Sequence, residues 1–394
     1  MPHAPASPLK LATLFFINAA ALGMWSVPFG NVLKAHGYED FIGNAYACSG
    51  VAAFISPLAV GALADQHVPP TRLVRWLAVA ASIFLTLAFT AIERHWSPVV
   101  VLAFVQMQAI SAAPIFGLST SIVLSSLRNP GREFAPLRST ATLGWMAAGW
   151  FVSFVLNADT STMSGYGAAA TWLCTAAFTF ALPETPPLEH KEPRDIFGLA
   201  ALELFTNKDH RVVFLTAALF NIPMAAFYPF TPIHLTELGV NHATAAMTLG
   251  QVSELLSMFG LAGILTRWRL KWVFLTGIGF GVVRFALCAL NSRGWVLAGI
   301  SLHGFAFTLY FITAQIYLEQ RVDPRIRARA QALLQVMISG IGNLFGYMGS
   351  GMWRRACTTA GQTDWPTFWT GTSAAADVVF LWFALSYRGR GPQH

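Results

Sequence analysis

The chain has 394 residues, of which 55% are hydrophobic and only 11% are Asp, Glu, Lys or Arg. Soluble domains usually carry about 25% charged residues, so this chain has too few charges to cover a soluble surface. These proportions exclude a soluble enzyme, a disordered scaffold and a nucleic-acid-binding module. The net charge of +7 still suggests a nucleic-acid partner unless the positions of the basic residues explain it.

Apolar windows of about 20 residues, the length that a membrane-crossing helix needs, recur along the whole chain. The windows are too long for strands of a membrane barrel and lack their alternation. We therefore predict an all-α membrane protein with twelve transmembrane helices in two pseudo-symmetric six-helix bundles. In chain order the predicted helices are 10–33, 41–64, 72–92, 97–123, 136–157, 165–183, 211–235, 241–265, 271–290, 294–318, 327–353 and 366–387.

A polar stretch separates the sixth predicted helix from the seventh. It divides the chain into an N-terminal six-helix bundle (1–183), a cytoplasmic linker (184–210) and a C-terminal six-helix bundle (211–394). The linker begins rich in proline and then has the pattern of a short amphipathic helix lying on the membrane surface. The apolar face of that helix consists of Ile196, Leu199, Leu202 and Phe205.

The distribution of Lys and Arg among the loops gives the orientation. Eighteen of these residues lie on the side of the N-terminus and five on the other side. Because basic residues concentrate on the cytoplasmic side, both termini are predicted to be cytoplasmic in a multi-pass protein of the cell inner membrane. The basic charge then reflects topology, and no nucleic-acid partner is expected.

The loop after the second predicted helix carries Gly61-Ala62-Leu63-Ala64-Asp65, followed by Arg72. The glycine permits close helix approach, and the aspartate can accept a hydrogen bond from a helix N-terminus or an arginine. This motif resembles the G-x-L-a-D…R signature of the major facilitator superfamily, and it stands in the same loop. The resemblance implies the major facilitator fold, with Gly61, Asp65 and Arg72 as a conformational latch.

Charged side chains inside the predicted membrane helices are few, and each costs at least about 2.5–3.5 kcal/mol unless it faces a cavity or a partner. Glu254 in the eighth helix shares a face with Gln251, three residues earlier. We predict Glu254, Arg284 and Asp377 as candidates for proton coupling. A permanent structural pair of Glu254 with Arg284 is the alternative, and Asp377 fits a structural hydrogen bond equally well.

Polar and aromatic side chains share faces in two further helices. Arg138, Thr142 and Trp145 are spaced i, i+4 and i+7 in the fifth helix. Asn221 and Tyr228 share a face in the seventh helix, where three prolines predict a bend. Such faces suit a flat, hydroxylated solute, which needs stacking rings together with hydrogen-bond donors and acceptors. Packing alone is the alternative for each face.

The tenth predicted helix repeats this spacing with His303, Phe307 and Tyr310. The two rings suit stacking on a flat solute, with packing again as the alternative. His303 fits a structural role better than that of a proton switch.

Several segments resemble the nucleoside:proton symporter family, a branch of the major facilitator superfamily. They are 134–145 (FAPLRSTATLGW), 251–254 (QVSE), 283–287 (VRFAL), 324–331 (PRIRARAQ) and 363–365 (TDW). Because they lie in both halves, the resemblance covers most of the chain. It implies proton-coupled uptake of nucleosides through the inner membrane. The cavity residues that it implies are Arg138, Thr142, Trp145, Gln251, Glu254 and Phe307.

Two positions depart from the family pattern. In the tenth helix Thr308 follows Phe307 where the family has an Asp, and in the seventh helix Ala225 and Tyr228 replace a polar pair. The first departure bears on proton coupling and the second on the preference for nucleosides. A sugar or aromatic-acid transporter, an uncoupled facilitator and a transporter-like sensor are therefore alternatives.

The leading prediction is a secondary transporter for a small polar solute, a nucleoside by resemblance, working by proton-coupled alternating access. Its predicted substrate-binding residues are Arg138, Thr142, Trp145, Tyr228, Gln251, Glu254 and Phe307. An enzyme is not expected, because HExxH and nucleophile motifs are missing, and no G-x-x-x-x-G-K-[ST] loop indicates an ATP-driven pump. No cofactor or metal is expected, since the four cysteines form no CxxC pair. The protein is expected to be a monomer in the lipid bilayer.

Overall fold

The computed structural model describes residues 7–64, 68–127, 129–183 and 199–389. The chain forms two compact units, Met1–Arg194 with Asn241–Ala245, and Asp195–Val240 with Ala246–His394. The predicted boundaries of the two bundles and their linker stay predictions, because 184–198 lies outside the described residues.

The first unit is built from helices that pack side by side, α1 against α6 and α7, and α4 against α5 and α7. Its inner face includes Leu11, Phe15 and Val123, against which Trp145 packs. Its α-helices are α1 (Pro8–Ser26), α2 (Phe29–Ala35), α3 (Ile42–Ala64), α4 (Pro70–Glu93), α5 (Pro98–Ser126), α6 (Pro130–Trp150) and α7 (Met163–Phe178).

In the second unit, α12 packs on α13, α14 and α18, while α8 packs on α17 and α18. Buried aromatic rings, among them Phe274, Tyr310 and Phe383, fill the space between these helices. The remaining α-helices are α8 (Lys208–Met224), α9 (Phe227–Glu237), α10 (Ala243–Ala246), α11 (Leu249–Arg267), α12 (Leu270–Ala289), α13 (Arg293–Ser301), α14 (His303–Phe307), α15 (Thr313–Arg321), α16 (Arg327–Gln335), α17 (Asn343–Ala356) and α18 (Trp365–Ser386).

Short irregular elements join these helices. Wider π-helical turns, which often accompany functional sites, occur at Phe151–Val155, Thr308–Ile312 and Val336–Gly342. Tighter 3-10 turns occur at Glu39–Phe41, Thr179–Ala181 and Leu199–Thr206. One antiparallel hairpin pairs β1 (Thr358–Thr359) with β2 (Gln362–Thr363), Thr358 opposite Thr363. Its two turn residues, Ala360 and Gly361, both have positive φ, as a tight hairpin turn requires.

Eight helical segments of the described residues are long and apolar enough to cross a membrane. They are Pro8–Ala35, Pro70–Glu93, Pro98–Ser126, Lys208–Glu237, Leu270–Ala289, Arg293–Arg321, Arg327–Ala356 and Trp365–Ser386. The other four predicted membrane helices correspond to α3, α6, α7 and α11. Large apolar side chains such as Phe259 and Leu385 stay exposed, as they do on a surface that faces lipid.

The bend predicted in the seventh membrane helix stays a prediction, and the α-helix is interrupted at the same place, stopping at Met224 and restarting at Phe227. Pro223 and Pro232 lie inside the two pieces, and each removes a backbone donor from the helix. The predicted start of the eighth membrane helix at residue 241 is wrong. Residues 243–246 form a separate short turn, and α11 begins only at Leu249.

The separate turn is held by two side chains that follow α6. Asp159 accepts a hydrogen bond from the Thr244 N–H at 2.7 Å, and the Ser153 hydroxyl accepts one from the Ala245 N–H at 3.0 Å. The Ser153 hydroxyl in turn donates to Asp159 at 3.0 Å. Segment 241–245 therefore belongs to the first unit, although it lies in the second half of the sequence.

The predicted amphipathic helix of the linker falls partly outside the described residues, which resume at Leu199. Its described part is the 3-10 turn Leu199–Thr206, whose Phe205 ring lies 5.4 Å from that of Phe214. Asn207 then caps α8 by accepting from the N–H groups of Asp209 and His210. Near the other end of the chain, Asp364 caps α18. Its carboxyl accepts hydrogen bonds from the Thr367 hydroxyl and N–H, and these bonds lower its pKa.

Candidate functional site

In the second unit, a polar and aromatic cluster gathers on α9, α11 and α14. Gln251 donates from Nε2 to the Tyr228 hydroxyl at 3.1 Å, and Glu254 follows Gln251 by three residues on the same face of α11. Gln251 is buried, whereas Tyr228 and Glu254 are half-buried. The remaining amide oxygen of Gln251 has no partner among the described residues. A buried polar atom of this kind is one that a bound solute would satisfy.

Arg284 of α12 lies behind this cluster and is fully buried, at 1% exposure. Its Nη1 donates to His303 Nδ1 at 2.7 Å, and its guanidinium lies 3.9 Å from the centre of the Phe227 ring. Within the described part of the chain it forms no salt bridge. The alternative of a permanent Glu254–Arg284 pair is therefore wrong. Arg284 instead donates a hydrogen bond to the imidazole of His303.

The contact with Arg284 fixes the protonation of His303. A guanidinium can only donate, so His303 Nδ1 must accept, and the proton of the neutral ring resides on Nε2. The ring stacks on Phe227, with centroids 4.5 Å apart, and is edge-on to Tyr228. It also lies parallel to Phe307 at 6.2 Å. His303 is thus a neutral donor in an aromatic wall.

A close helix contact brings the two sides of the cluster together. Gly304 of α14 approaches the backbone of α11 so tightly that a Cβ there would collide with the Glu254 nitrogen. Its N–H donates to the Ser253 hydroxyl at 3.0 Å. Because His303 directly precedes Gly304, the same contact sets the imidazole beside α11, at Gly250.

Thr308 is fully buried at the same seam between α11 and α14. Its hydroxyl lies 2.8 Å from the hydroxyl of Ser257, so the side chain joins the two helices instead of facing an open space. Tyr310, which shared a predicted face with Phe307, is also fully buried and donates to the Val213 carbonyl at 3.0 Å. Of that predicted face, Phe307 alone stays half-buried.

In the first unit, Arg138, Thr142 and Trp145 share one face of α6, as their spacing predicts. Arg138 is exposed, and its guanidinium lies 4.4 Å from the centre of the Phe116 ring on α5. Thr142 and Trp145 are half-buried. Gly144 allows this helix to pack directly on α1, because a Cβ at this position would meet the Phe16 carbonyl oxygen.

Two predicted groups lie apart from these clusters. Asp377 is on an exposed face of α18 beside Val378. Arg72 is exposed in the first turn of α4, and Gly61 lies near the end of α3. Asp65 lies outside the described residues, so the latch stays a prediction.

Sequence reasoning missed two structural roles. Asn221 donates to the Ile338 carbonyl at 2.9 Å and to Asn343 at 2.7 Å, so it ties α8 to the neighbouring π-helical turn. Ser253 of α11 accepts a hydrogen bond from the Gly304 N–H at 3.0 Å, so it ties α11 to α14. Neither partner could be found from helix periodicity, which places a residue on a face without saying what that face meets.

Known proteins that resemble this chain identify its family. A family model described as "Nucleoside H+ symporter" matches residues 6–391. The chain belongs to the nucleoside H+ symporter family. The resemblance seen in the sequence is thereby confirmed, and with it the prediction of a proton-coupled nucleoside transporter.

Relatives of this family member cover nearly its whole length. The nucleoside permease NupG of Escherichia coli (strain K12) is 28% identical over 408 residues, which cover 95% of this chain and 94% of the permease. The xanthosine permease of the same organism is 27% identical over 403 residues, covering 96% and 93%.

Solved structures agree with this membership. A crystal structure of the nucleoside transporter NupG matches with a TM-score of 0.87 at 26% identity, over 97% of this chain and 99% of that one. A bacterial homolog of the human lysosomal transporter Spinster shares the fold alone, with a TM-score of 0.76 at 14% identity over 98% of each chain. These likenesses confirm the predicted all-α major facilitator fold, with which two six-helix bundles of membrane helices are consistent.

In this member of the nucleoside H+ symporter family, the structure shows what Thr308 does in place of an Asp. The sequence resemblance implies a carboxylate there, whereas the chain has a hydroxyl that bonds across a helix seam. Glu254 is then the carboxylate that stands in the cluster with Tyr228 and Gln251.

Proposed function

We propose that this protein takes up nucleosides together with protons and that Glu254 carries the proton. The observation that supports this most is the grouping of Glu254, Gln251 and Tyr228 beside a wall of aromatic rings. Stacking rings suit a nucleobase, and amide, hydroxyl and carboxyl groups suit ribose hydroxyls and ring nitrogens. The half-buried Glu254 can reach both a solute and a proton.

Each member of the cluster has its own proposed task. Phe307 and Tyr228 pack on the base, Gln251 bonds the sugar or base through its unpartnered amide atom, and His303 donates from Nε2 to an acceptor on the solute. In the first unit, Arg138, Thr142 and Trp145 are proposed to supply further substrate contacts. Arg284 is proposed to act on coupling indirectly, by holding His303 neutral.

Placement in the membrane is part of the same proposal. The family makes the chain a multi-pass transporter, and the excess of basic residues on one side supports cytoplasmic termini in the inner membrane. The protein is proposed to work as a monomer, changing conformation by alternating access. Protonation of Glu254 would shift the conformational equilibrium only through different affinities of the two states for the proton.

The replacement Glu254→Gln tests the proposed carrier. The amide keeps the size and hydrogen bonding of the carboxyl but cannot bind and release a proton, so we expect accumulation of labelled uridine driven by a proton gradient to be lost. Exchange of internal for external uridine should persist, because exchange needs no net proton movement. Both rates are measured in proteoliposomes.

The exposed Glu203→Gln is the matched control, since it removes one carboxylate elsewhere and should leave both rates unchanged. If Glu254→Gln still accumulates uridine against its gradient, Glu254 is not the carrier. Thr308, buried where the family has an Asp, favours one second candidate, an uncoupled facilitator. In that case the gradient has no effect on the unsubstituted protein either.

A further inference from the structure

A shallow, open cavity of ≈ 500 Å³ lies on the surface where α11 ends and α12 begins, away from the polar and aromatic cluster. It is lined by Arg267, Trp268, Arg269, Trp272 and Thr276. The charge distribution of the loops predicts this end of the two helices to be cytoplasmic. None of the lining residues takes part in the proposed transport chemistry.

The cavity carries positive charge that the protein does not neutralise. Arg267 and Arg269 are exposed, and within the described part of the chain neither guanidinium has a hydrogen bond or an ion pair. The sequence holds no Asp or Glu between Glu254 and Glu319. Lys271 adds a third cation close by, although its amine donates to the Ala384 carbonyl.

The start of α12 adds to this positive field. Arg269 is its N-cap residue and provides no side-chain acceptor for the first backbone N–H groups. Those groups and the helix dipole favour an anion. Two guanidinium groups beside them form charge-assisted hydrogen bonds with phosphate oxygens, often in pairs.

The rest of the cavity is suited to the membrane interface. Trp268 and Trp272 are 51% and 59% exposed, and tryptophan concentrates at the level of the lipid headgroups. Thr276 and Val283 follow Trp272 on the same face of α12, within about 40° at 100° per residue. Val283 is 47% exposed and lies about 16 Å further along the helix. One face of this membrane helix thus runs from the basic cavity to an exposed apolar side chain deeper in the membrane.

We propose that this cavity binds the headgroup of an anionic phospholipid. The phosphate contacts Arg267 and Arg269, the glycerol region packs on Trp268 and Trp272, and one acyl chain follows α12 past Val283. Basic pockets on the cytoplasmic side of membrane helices commonly hold such headgroups. A free phosphate shares the arginine contacts but makes no use of the exposed tryptophans or of Val283.

Lipid binding to the full-length protein in detergent tests the proposal. Native mass spectrometry measures the fraction of protein that carries phosphatidylglycerol or, separately, phosphatidylcholine with the same acyl chains. The double variant Arg267→Gln/Arg269→Gln should bind phosphatidylglycerol about thirtyfold more weakly, since each arginine near an anionic surface contributes about a fivefold factor. Arg325→Gln/Arg329→Gln removes the same two charges at the start of α16 and should bind as the unsubstituted protein does.

Each outcome decides the matter. Preferential binding of phosphatidylglycerol that is lost only in the cavity variant, with Arg267→Lys/Arg269→Lys retaining most of it, supports the proposal. Equal binding of the two lipids, or equal losses in the two double variants, contradicts it. Displacement of phosphatidylglycerol by millimolar inorganic phosphate would instead make the cavity a phosphate site. Because transport is not the readout, failure here leaves the proposed function untouched.

Discussion

Arg284 and His303 are both buried and are joined by a hydrogen bond. The bond satisfies the charge of the arginine and keeps the imidazole neutral. The arginine needs an acceptor because a buried cation without one is costly, and the neutral imidazole supplies it at 2.7 Å. The ring of Phe227 covers both groups. In the described part of the chain no carboxylate shares this role with His303.

The replacement His303→Phe should therefore destabilise the protein strongly. It keeps the stacking on Phe227 but leaves Arg284 buried without its acceptor, which costs roughly 3–5 kcal/mol in the free energy of unfolding. Adding Arg284→Met should restore most of that loss, because two apolar groups leave no unsatisfied donor. Chemical unfolding in detergent measures both variants, and no recovery in the double variant would contradict the pairing.

How far single residues could be predicted depends on whether they share a helix. Gln251 and Glu254 lie three residues apart, so periodicity alone placed them on one face. Arg284 and His303 belong to different helices, and the rotation of each helix decides whether they meet. The same reason explains why Asn221 was expected beside Tyr228 and instead bonds Asn343.

At the scale of helices, the contact between α11 and α14 positions the side chains of the polar and aromatic cluster next to each other. Gly304 is the residue that permits it, since the glycine lies against backbone and not against a movable side chain. Ser253 and Ser257 then bond across the same seam.

Gly304→Ala should push the two helices apart. No rotamer change can relieve a contact with backbone, so we expect a loss of roughly 3 kcal/mol or more in stability, and weaker substrate binding with it. Gly260→Ala on α11 faces open space and should raise stability slightly, by about 0.5–1 kcal/mol, the usual gain of alanine over glycine inside a helix. Thermal unfolding compares the two variants, and equal melting temperatures would exclude a tight seam.

The short turn at 243–246 depends on acceptors from a different part of the sequence. Asp159→Ala should release the Thr244 N–H, and loss of such a cap costs about 1 kcal/mol, which is about a fivefold change in an equilibrium constant. Amide hydrogen exchange at Thr244 and Ala245 should therefore accelerate by about that factor. Exchange at the capped start of α18 serves as the internal control, and unaltered exchange at Thr244 would show that Asp159 does not hold the turn.

Helix positions could be predicted more fully than helix interruptions. Composition and window length located α4 and α12 within a few residues of their ends. The gap between α10 and α11 could not be predicted, because the residues remain apolar and the interruption comes from acceptors on Asp159 and Ser153. Long-range capping of this kind leaves no local pattern.

At the scale of the whole molecule, composition, hydropathy and short motifs were sufficient for the fold and the family. Few charges and repeated apolar windows require helices in lipid, and the segments in both halves carry the family resemblance. The substrate was not fixed in the same way, since a shared fold supports many solutes. Thr308 and Tyr228 stand where this chain differs from its family's pattern.

Uptake of labelled uridine and adenosine into proteoliposomes tests the central claim most directly. An inward proton gradient should accelerate uptake of a nucleoside and drive its accumulation above the external concentration, and dissipating the gradient should abolish that accumulation. Uptake that is indifferent to the gradient would contradict proton coupling. Failure to take up either nucleoside, in a preparation shown to be folded, would contradict nucleoside transport itself.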